Sequence, residues 1–593
     1  MKRLSIFVLL ALAATSINAQ TMGDALTWGK SNYYGTARTL GMGNAVTAVG
    51  GDLGGMSIQP AAGAVAGYSQ FEFSLGTSTT VTGAAYSPSF NTTNESQTFG
   101  MVKNDSKTTF IFPNIAANFR FDTGSDYGLR SLNYGFAVNR SDSYGERFVS
   151  SGNERNTSIT GAFAVGCSGM DPKVFHNYSN PYYSSDAYWN SLVAYGGGLV
   201  NYNAVDDAYY GSGELKTATA NPSVFDYAVP GSLYQQMSVQ QSGSKNDYAF
   251  NFGMNFDDRF YLGFNLTLVS LYNKYLETFK ESTGNNYQLF TVTPEYIATS
   301  AGTYPGGTAY AAGDPYVGTE TCYLSSTYRY EHNVNMTGIN AKMGFIWLPF
   351  EGLRLGGAIQ TPTSYSIVEK WGVRAGANFL DDAYSALETS PVSKNEYEYR
   401  APWGFNLGVA YTYGTLGMIS ADWELTDFSV MKFSTVDEDG NFIDDAYYRE
   451  NQINKLFCGV QHTLRLGLEV KPVPFIAIRA GYNWMSCPER YYTCNGATVT
   501  ASDYDADFDK FDSGQYTLDP GSKKYFKDNV SSLSVGLGFI SGGAFYADFA
   551  VRRTTYPKFY YSPYSAYLNN YSAPEARVTK SIVDAVLTVG WRF

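Results

Sequence analysis

Histidine, cysteine and charged side chains are scarce in this 593-residue chain, and each shortage removes a class of function. The three histidines are His176, His332 and His462. A hydrolase needs a base beside Ser or Asp, and haem uptake needs axial ligands. His462 could in principle serve as such a base, but an ordinary lumen or interface histidine is the simpler reading. No P-loop, zinc signature or EF-hand pattern is present, so the chain is expected to be no enzyme and to carry no cofactor and no metal. The five cysteines, Cys167, Cys322, Cys458, Cys487 and Cys494, form no CxxC. Cys487 and Cys494 fall in one loop and could close a disulfide in an oxidising compartment. The formal charge of -12 argues against nucleic acid as a partner.

Long hydrophobic runs are missing too. Lys2 and Arg3 precede an apolar run from Leu4 to Ala14, followed by a small residue at Ala19. That is the layout of a secretory signal over residues 1–19, and the run is too short to cross a bilayer as a helix. Beyond it no segment reaches 18 consecutive apolar residues, and the mean hydropathy is -0.23. A helical membrane protein is thereby excluded, and a soluble secreted protein would fit as well as anything read so far.

What is abundant changes that reading. Aromatics make up 16% of the chain, with 50 Tyr, and there are 60 Gly. Tyr and Trp gather at membrane interfaces, and Gly suits a crowded barrel interior. Counting back from Phe593, Trp591, Val589, Leu587, Ala585 and Val583 alternate with Arg592, Gly590, Thr588, Val586 and Asp584. One face is apolar with aromatics at its end, the period-2 pattern of a strand between lipid and a polar lumen.

The pattern recurs. Tyr248, Phe250, Phe252, Met254 and Phe256 alternate up to a turn at Asp257, and Leu262, Phe264, Leu266 and Leu268 continue after it. Strands are predicted at roughly 68–78, 107–121, 127–141, 245–256, 259–279, 323–347, 353–371, 394–413, 415–432, 453–471, 475–487, 528–540, 543–558 and 577–593. That is about 14, an even number, with short turns alternating with long loops near 142–244, 280–322 and 488–527. The expected fold is all-β: a transmembrane antiparallel β-barrel of a Gram-negative outer membrane, in contact with its lipid.

Register follows from energy. Turning the strand at Leu464–Val470 over would point Arg465 at lipid, at roughly 2–4 kcal/mol near the midplane. Lys342, Asp422, Glu424, Arg465, Glu469, Arg479, Asp548, Arg552 and Asp584 are therefore expected to face the lumen, as structural networks more often than as ligand sites.

Residues 20–67 precede the first strand and lack strand periodicity. Gly35 to Gly67 is Gly/Ala-rich and too short to fold alone. A barrel of about 14 strands is wider than its own side chains fill, so the expected place of this segment is inside, as a hatch. Ala37-Arg38, then Gly41-Met42-Gly43-Asn44-Ala45, then Gln59-Pro60-Ala61 resembles the opening of the FadL/toluene-transporter family of outer-membrane proteins. The resemblance covers about 35 residues and departs at Gln59, where the family has Asn.

It implies a 14-stranded barrel with a hatch, Met42, Asn44, Gln59 and Pro60 as hatch residues, and passive carriage of long-chain fatty acids or other hydrophobic small molecules. The same residues can be read as mere turn and packing positions. The closing Phe593 looks like the signal read by barrel-assembly machinery, and a monomer is expected. Two other readings stay open: a barrel similar to PorV that serves protein secretion, and a general diffusion porin.

Overall fold

The computed structural model describes residues 21–593 except 176–179, 185–186, 204–206, 218–225, 298–300, 304–308, 312–314, 438–441 and 542. The expected leader over residues 1–19 and His176 lie outside the described residues. Fourteen antiparallel strands make the wall: β1 (Gln70–Ser87), β2 (Val102–Asp122), β3 (Leu129–Ser143, continued by Glu146–Glu154), β4 (Leu233–Phe256), β5 (Phe260–Ser282), β6 (Thr321–Phe350) and β7 (Leu353–Gln360 with Ser364–Phe379). The circuit continues through β8 (Ser393–Arg400 with Gly404–Tyr413), β9 (Gly417–Asp427 with Lys432–Val436), β10 (Val460–Val473), β11 (Ile476–Met485), β12 (Val530–Ile540), β13 (Phe545–Thr555 with Phe559–Tyr561) and β14 (Glu575–Arg592). Each strand pairs with the next, and β14 returns to β1 in unbroken register from Gln70↔Arg592 to Ser87↔Glu575. A closed sheet leaves no edge in lipid. Among the described residues no helix is long and apolar enough to cross a membrane.

Lipid-type surface wraps the outside. Phe264, Leu266 and Leu268 of β5, Ile339 and Met343 of β6, and Leu464, Leu466 and Leu468 of β10 are exposed, while alternate residues face inward. Above this belt the wall is uneven. β6 runs 30 residues and β4 runs 24, whereas β11 has 10 and β12 has 11. At about 3.3 Å per residue the tall side stands well clear of the belt at the end that carries the long loops.

The structure departs from the sequence expectation where lipid is not the neighbour. The tops of β3 and β4, Glu146–Glu154 paired with Gln241–Leu233, fall inside the expected 142–244 loop. Both faces there are polar or protein-facing, so alternation is lost. β7 and β8 are each interrupted, at 361–363 and 401–403, where Pro362 and Pro402 remove a ladder donor. Tyr448–Phe457 is a helix, although a strand is expected from 453. Its buried residues Glu450, Ile453, Asn454 and Phe457 repeat at helical spacing.

Candidate functional site

The N-terminal segment lies inside the barrel: residues 37–66 sit near the end with short turns, and the first helix reaches up to Tyr397, Phe433 and the Tyr448–Phe457 helix. Three short helices, α1 (Met22–Gly29), α2 (Ala37–Gly41) and α3 (Ala62–Val65), are joined by irregular chain. Thr21 caps α1 in a reciprocal capping box with Asp24. Asn44 adopts a left-handed φ of 63°, which Asn tolerates. An irregular Gly/Ala backbone cannot satisfy its own carbonyls, and buried ones must find partners. Inward side chains of the wall supply them. Asn251 donates to the Pro60 carbonyl at 2.8 Å, Asn265 to Met56 at 2.8 Å, Ser420 to Ala45 at 2.7 Å and Arg354 to Val49 at 2.5 Å. Lys342 reaches the Ser57 carbonyl, and Asp422 accepts from the Thr47 amide at 2.8 Å.

Gln59 and Asn44 tie the segment together. Gln59 Nε2 donates to Thr47 within the segment at 2.8 Å and to the β6 carbonyl of Phe345 at 3.0 Å, while Asn44 Nδ2 donates to Tyr33 at 2.8 Å. Pro60 packs against Gly263, and Met42 against Gly467. These contacts expose a feature the sequence reading missed. Lumen-facing glycines Gly253, Gly263, Gly344, Gly356, Gly467 and Gly481 stand where the segment comes nearest to the wall, and a Cβ on most of them would collide with its backbone or with Gln59. The signal was present as glycine at inward positions of strong strands, where another chain approaches closely.

Charged lumen residues form a network. Arg479 lies between Glu469 at 2.7 Å and Asp548 at 2.5 Å, and Arg38 of the N-terminal segment reaches the same Glu469 at 3.1 Å. Arg465 pairs with Glu424, and Arg552 with Asp584 at 2.9 Å. All are held by partners on neighbouring strands or on the segment, with no set of three acidic, His or Cys side chains spaced to hold a metal among the described residues.

The wall carries a seam. β2 pairs with β3 only from Asp122↔Ser131 up to Asn114↔Asn139. Above that point β2 continues along β1 to Val102, while β3 follows β4, so no backbone ladder joins them. Pro113 sits at the parting, and Phe110 and Phe112 beside it face lipid. The upper part of β3 turns inward beneath β1, with Thr80 and Thr82 donating to the Gly145 and Arg147 carbonyls at 2.5 and 2.6 Å. Its freed edge is taken by residues 32–34: Asn32 donates to Ser141 at 2.7 Å and Tyr34 to Arg140 at 3.0 Å. Lys245 holds the carbonyls of Trp28 and Lys30 at 3.0 and 3.1 Å, and Arg552 holds Asn32 and Tyr33. No sequence pattern points to this strap, because it depends on pairing across more than a hundred residues.

Above lies an aromatic cap. Helix α4 (Ile159–Cys167) and the helix Trp189–Gly196 pack with the tall wall strands into one cluster, including Trp189 against Trp371 at 4.8 Å and Phe175 stacked on Tyr195 at 4.4 Å. Glu214 is buried there beside the Tyr567 hydroxyl; burial pushes its carboxyl up to about 7, partly offset by that bond.

The remaining candidates separate. His332 bonds Glu369 at 2.7 Å, and His462 stacks on Trp423 on the outer face. The possible Cys487–Cys494 bridge is not formed. All five cysteines are free: Cys487 lies buried past the end of β11 with its amide on Asn529, and Cys494 ends a separate hairpin.

No protein-family model matches the chain, and no curated protein matches it. Among solved structures it is similar to a Pseudomonas aeruginosa FadL homologue, at 11% identity and TM-score 0.45 over 95% of this chain and 100% of that one. It is also similar to the Ralstonia pickettii toluene transporter TbuX, at 13% identity and TM-score 0.41 over 94% and 98%. A third is the Pseudomonas putida toluene transporter TodX, at 11% identity and TM-score 0.41 over 95% and 100%.

Proposed function

We propose that this protein is a passive outer-membrane transporter for hydrophobic small molecules, in which the N-terminal segment acts as a hatch. The observation that carries the reading is the pairing of a filled lumen floor with a wall seam at the height of the lipid belt. A hydrophilic solute gains nothing from a route that ends in lipid, whereas an apolar one does, at about 25 cal/mol per Å² of surface removed from water. Aromatic loops of the cap collect the ligand, the floor blocks its passage onward, and it leaves between β2 and β3 when residues 32–34 release the β3 edge. No energy source is required, because the strap is held by hydrogen bonds that exchange with water.

The test is uptake of a labelled long-chain fatty acid and of a labelled monoaromatic hydrocarbon by cells lacking their own transporter. Cells expressing the intact protein should take up at least one, and a disulfide placed between positions 32 and 141 should stop uptake until it is reduced. A general diffusion porin would instead pass ions steadily through the intact protein in planar bilayers. Steady conductance, or uptake indifferent to the crosslink, would overturn the proposal.

A further inference from the structure

Beyond the lumen, the outer face of the tall wall carries a charge pattern that neither fold nor transport explains. Lys274 of β5 and Lys370 of β7 flank Asn333 of β6 in one register row, and Lys370 stands directly opposite Lys394 of β8. Two residues higher along β6, Glu331 takes Lys274 at 2.7 Å and Arg329 at 3.1 Å, and Arg329 itself stands directly opposite Arg374. Arg329, Lys370, Arg374 and Lys394 are exposed and Lys274 is half-buried. Like charges directly opposed across a sheet destabilise it, and this wall has two such pairs side by side in a chain of net charge -12. Of the opposed cations, Lys394 pairs with Glu396 on its own strand and Arg329 with Glu331, whereas the Lys370 and Arg374 side chains make no ion pair among the described residues. The row ends abruptly: Lys274 faces Ser242 on β4, whose neighbouring outward positions Asn246, Ser244 and Gln240 are uncharged.

Height selects the occupant. The aliphatic belt tops out at Leu268↔Ile339, the outward Tyr272 stands above it, and the lysine row lies six residues above Leu268. On strands tilted about 40° that is roughly 15 Å above the acyl boundary. A simple phospholipid headgroup is too short to reach there, whereas an anionic glycolipid carries phosphates at and above this height.

We propose that this basic face of β5 to β8 binds the phosphate groups of an outer-leaflet glycolipid, which bridge the opposed Lys370/Lys394 and Arg329/Arg374 pairs. Anions between them turn two repulsions into attractions. The site is independent of whether the barrel transports anything.

The experiment is thermal unfolding and native mass spectrometry of the whole protein in nanodiscs with a phosphorylated lipo-oligosaccharide, with its enzymatically dephosphorylated form, or with phosphatidylglycerol. The intact protein should retain and be stabilised by the phosphorylated glycolipid alone. K370Q/R374Q should retain about tenfold less, while K523Q/K524Q, which removes the same charge from an external loop, should match the intact protein. Equal retention of the dephosphorylated form or of phosphatidylglycerol, or undiminished retention by K370Q/R374Q, would sink the proposal.

Discussion

The floor of this barrel and its cap solve the same problem, filling a wide lumen, with opposite materials. The floor is Gly- and Ala-rich chain held by wall asparagines, lysine and arginine through its backbone. The cap is built of aromatic side chains stacked on one another. A backbone fitted to glycines has no slack, because interiors pack like crystals and small overlaps are felt. Aromatic rings fill space through stacked, tilted and edge-to-face contacts alike. The comparison places a closely fitted backbone at the bottom and varied ring packing at the top.

Several substitutions would break or sharpen that contrast. The largest effect is expected from Arg479→Met. It leaves Glu469 and Asp548 buried without their shared partner, and losing one side of such a pair costs about 3–5 kcal/mol. Urea unfolding in detergent should show it. Next comes Gly344→Val, whose new atoms would meet Gln59. Overpacking of this kind costs about 1–3 kcal/mol, and the floor should loosen enough to give ion conductance absent from the unaltered protein. A matching enlargement in the cap, Ala194→Val, should leave conductance unchanged.

The cap should answer to pH. The folded carboxyl of Glu214 sits above its ordinary value, so the folded state holds a proton that the unfolded chain releases. Stability from this group is therefore complete below about pH 4.5 and falls as pH rises toward about 7, by at most about 3 kcal/mol. Hydrogen exchange around residues 208–215 should quicken over that range, and Glu214→Gln should reduce the change. The smallest effect expected is that of a reductant. With every cysteine free, dithiothreitol should leave the melting temperature of the folded protein unchanged.

How far the sequence could be read tracks what lay against each residue. Strands facing lipid, such as Leu464–Val470, announced themselves because one neighbour was hydrocarbon and the other polar. The same rule set the inward side of Arg465, Glu469 and Arg479. Where the wall rose past lipid, at Glu146–Glu154 and Leu233–Gln241, the inward face packed on protein and the outward face was polar, so apolar residues no longer marked the outside. Gln59 and Asn44 could be named from a short motif, but their partners, Phe345 and Tyr33, could not. The seam between β2 and β3 left only Pro113 as a trace, and a single proline in a strand has many causes.

The glycines that receive the N-terminal segment are spread over at least six strands, from β4 through β11. A cork so fitted cannot be pushed into a finished cask. β14 locks to β1 along its whole length, and the Phe593 amide meets Ser69 at the point where the segment leaves the lumen. Raising the staves around residues 21–66 would spare that segment a passage between glycines that leave it no slack.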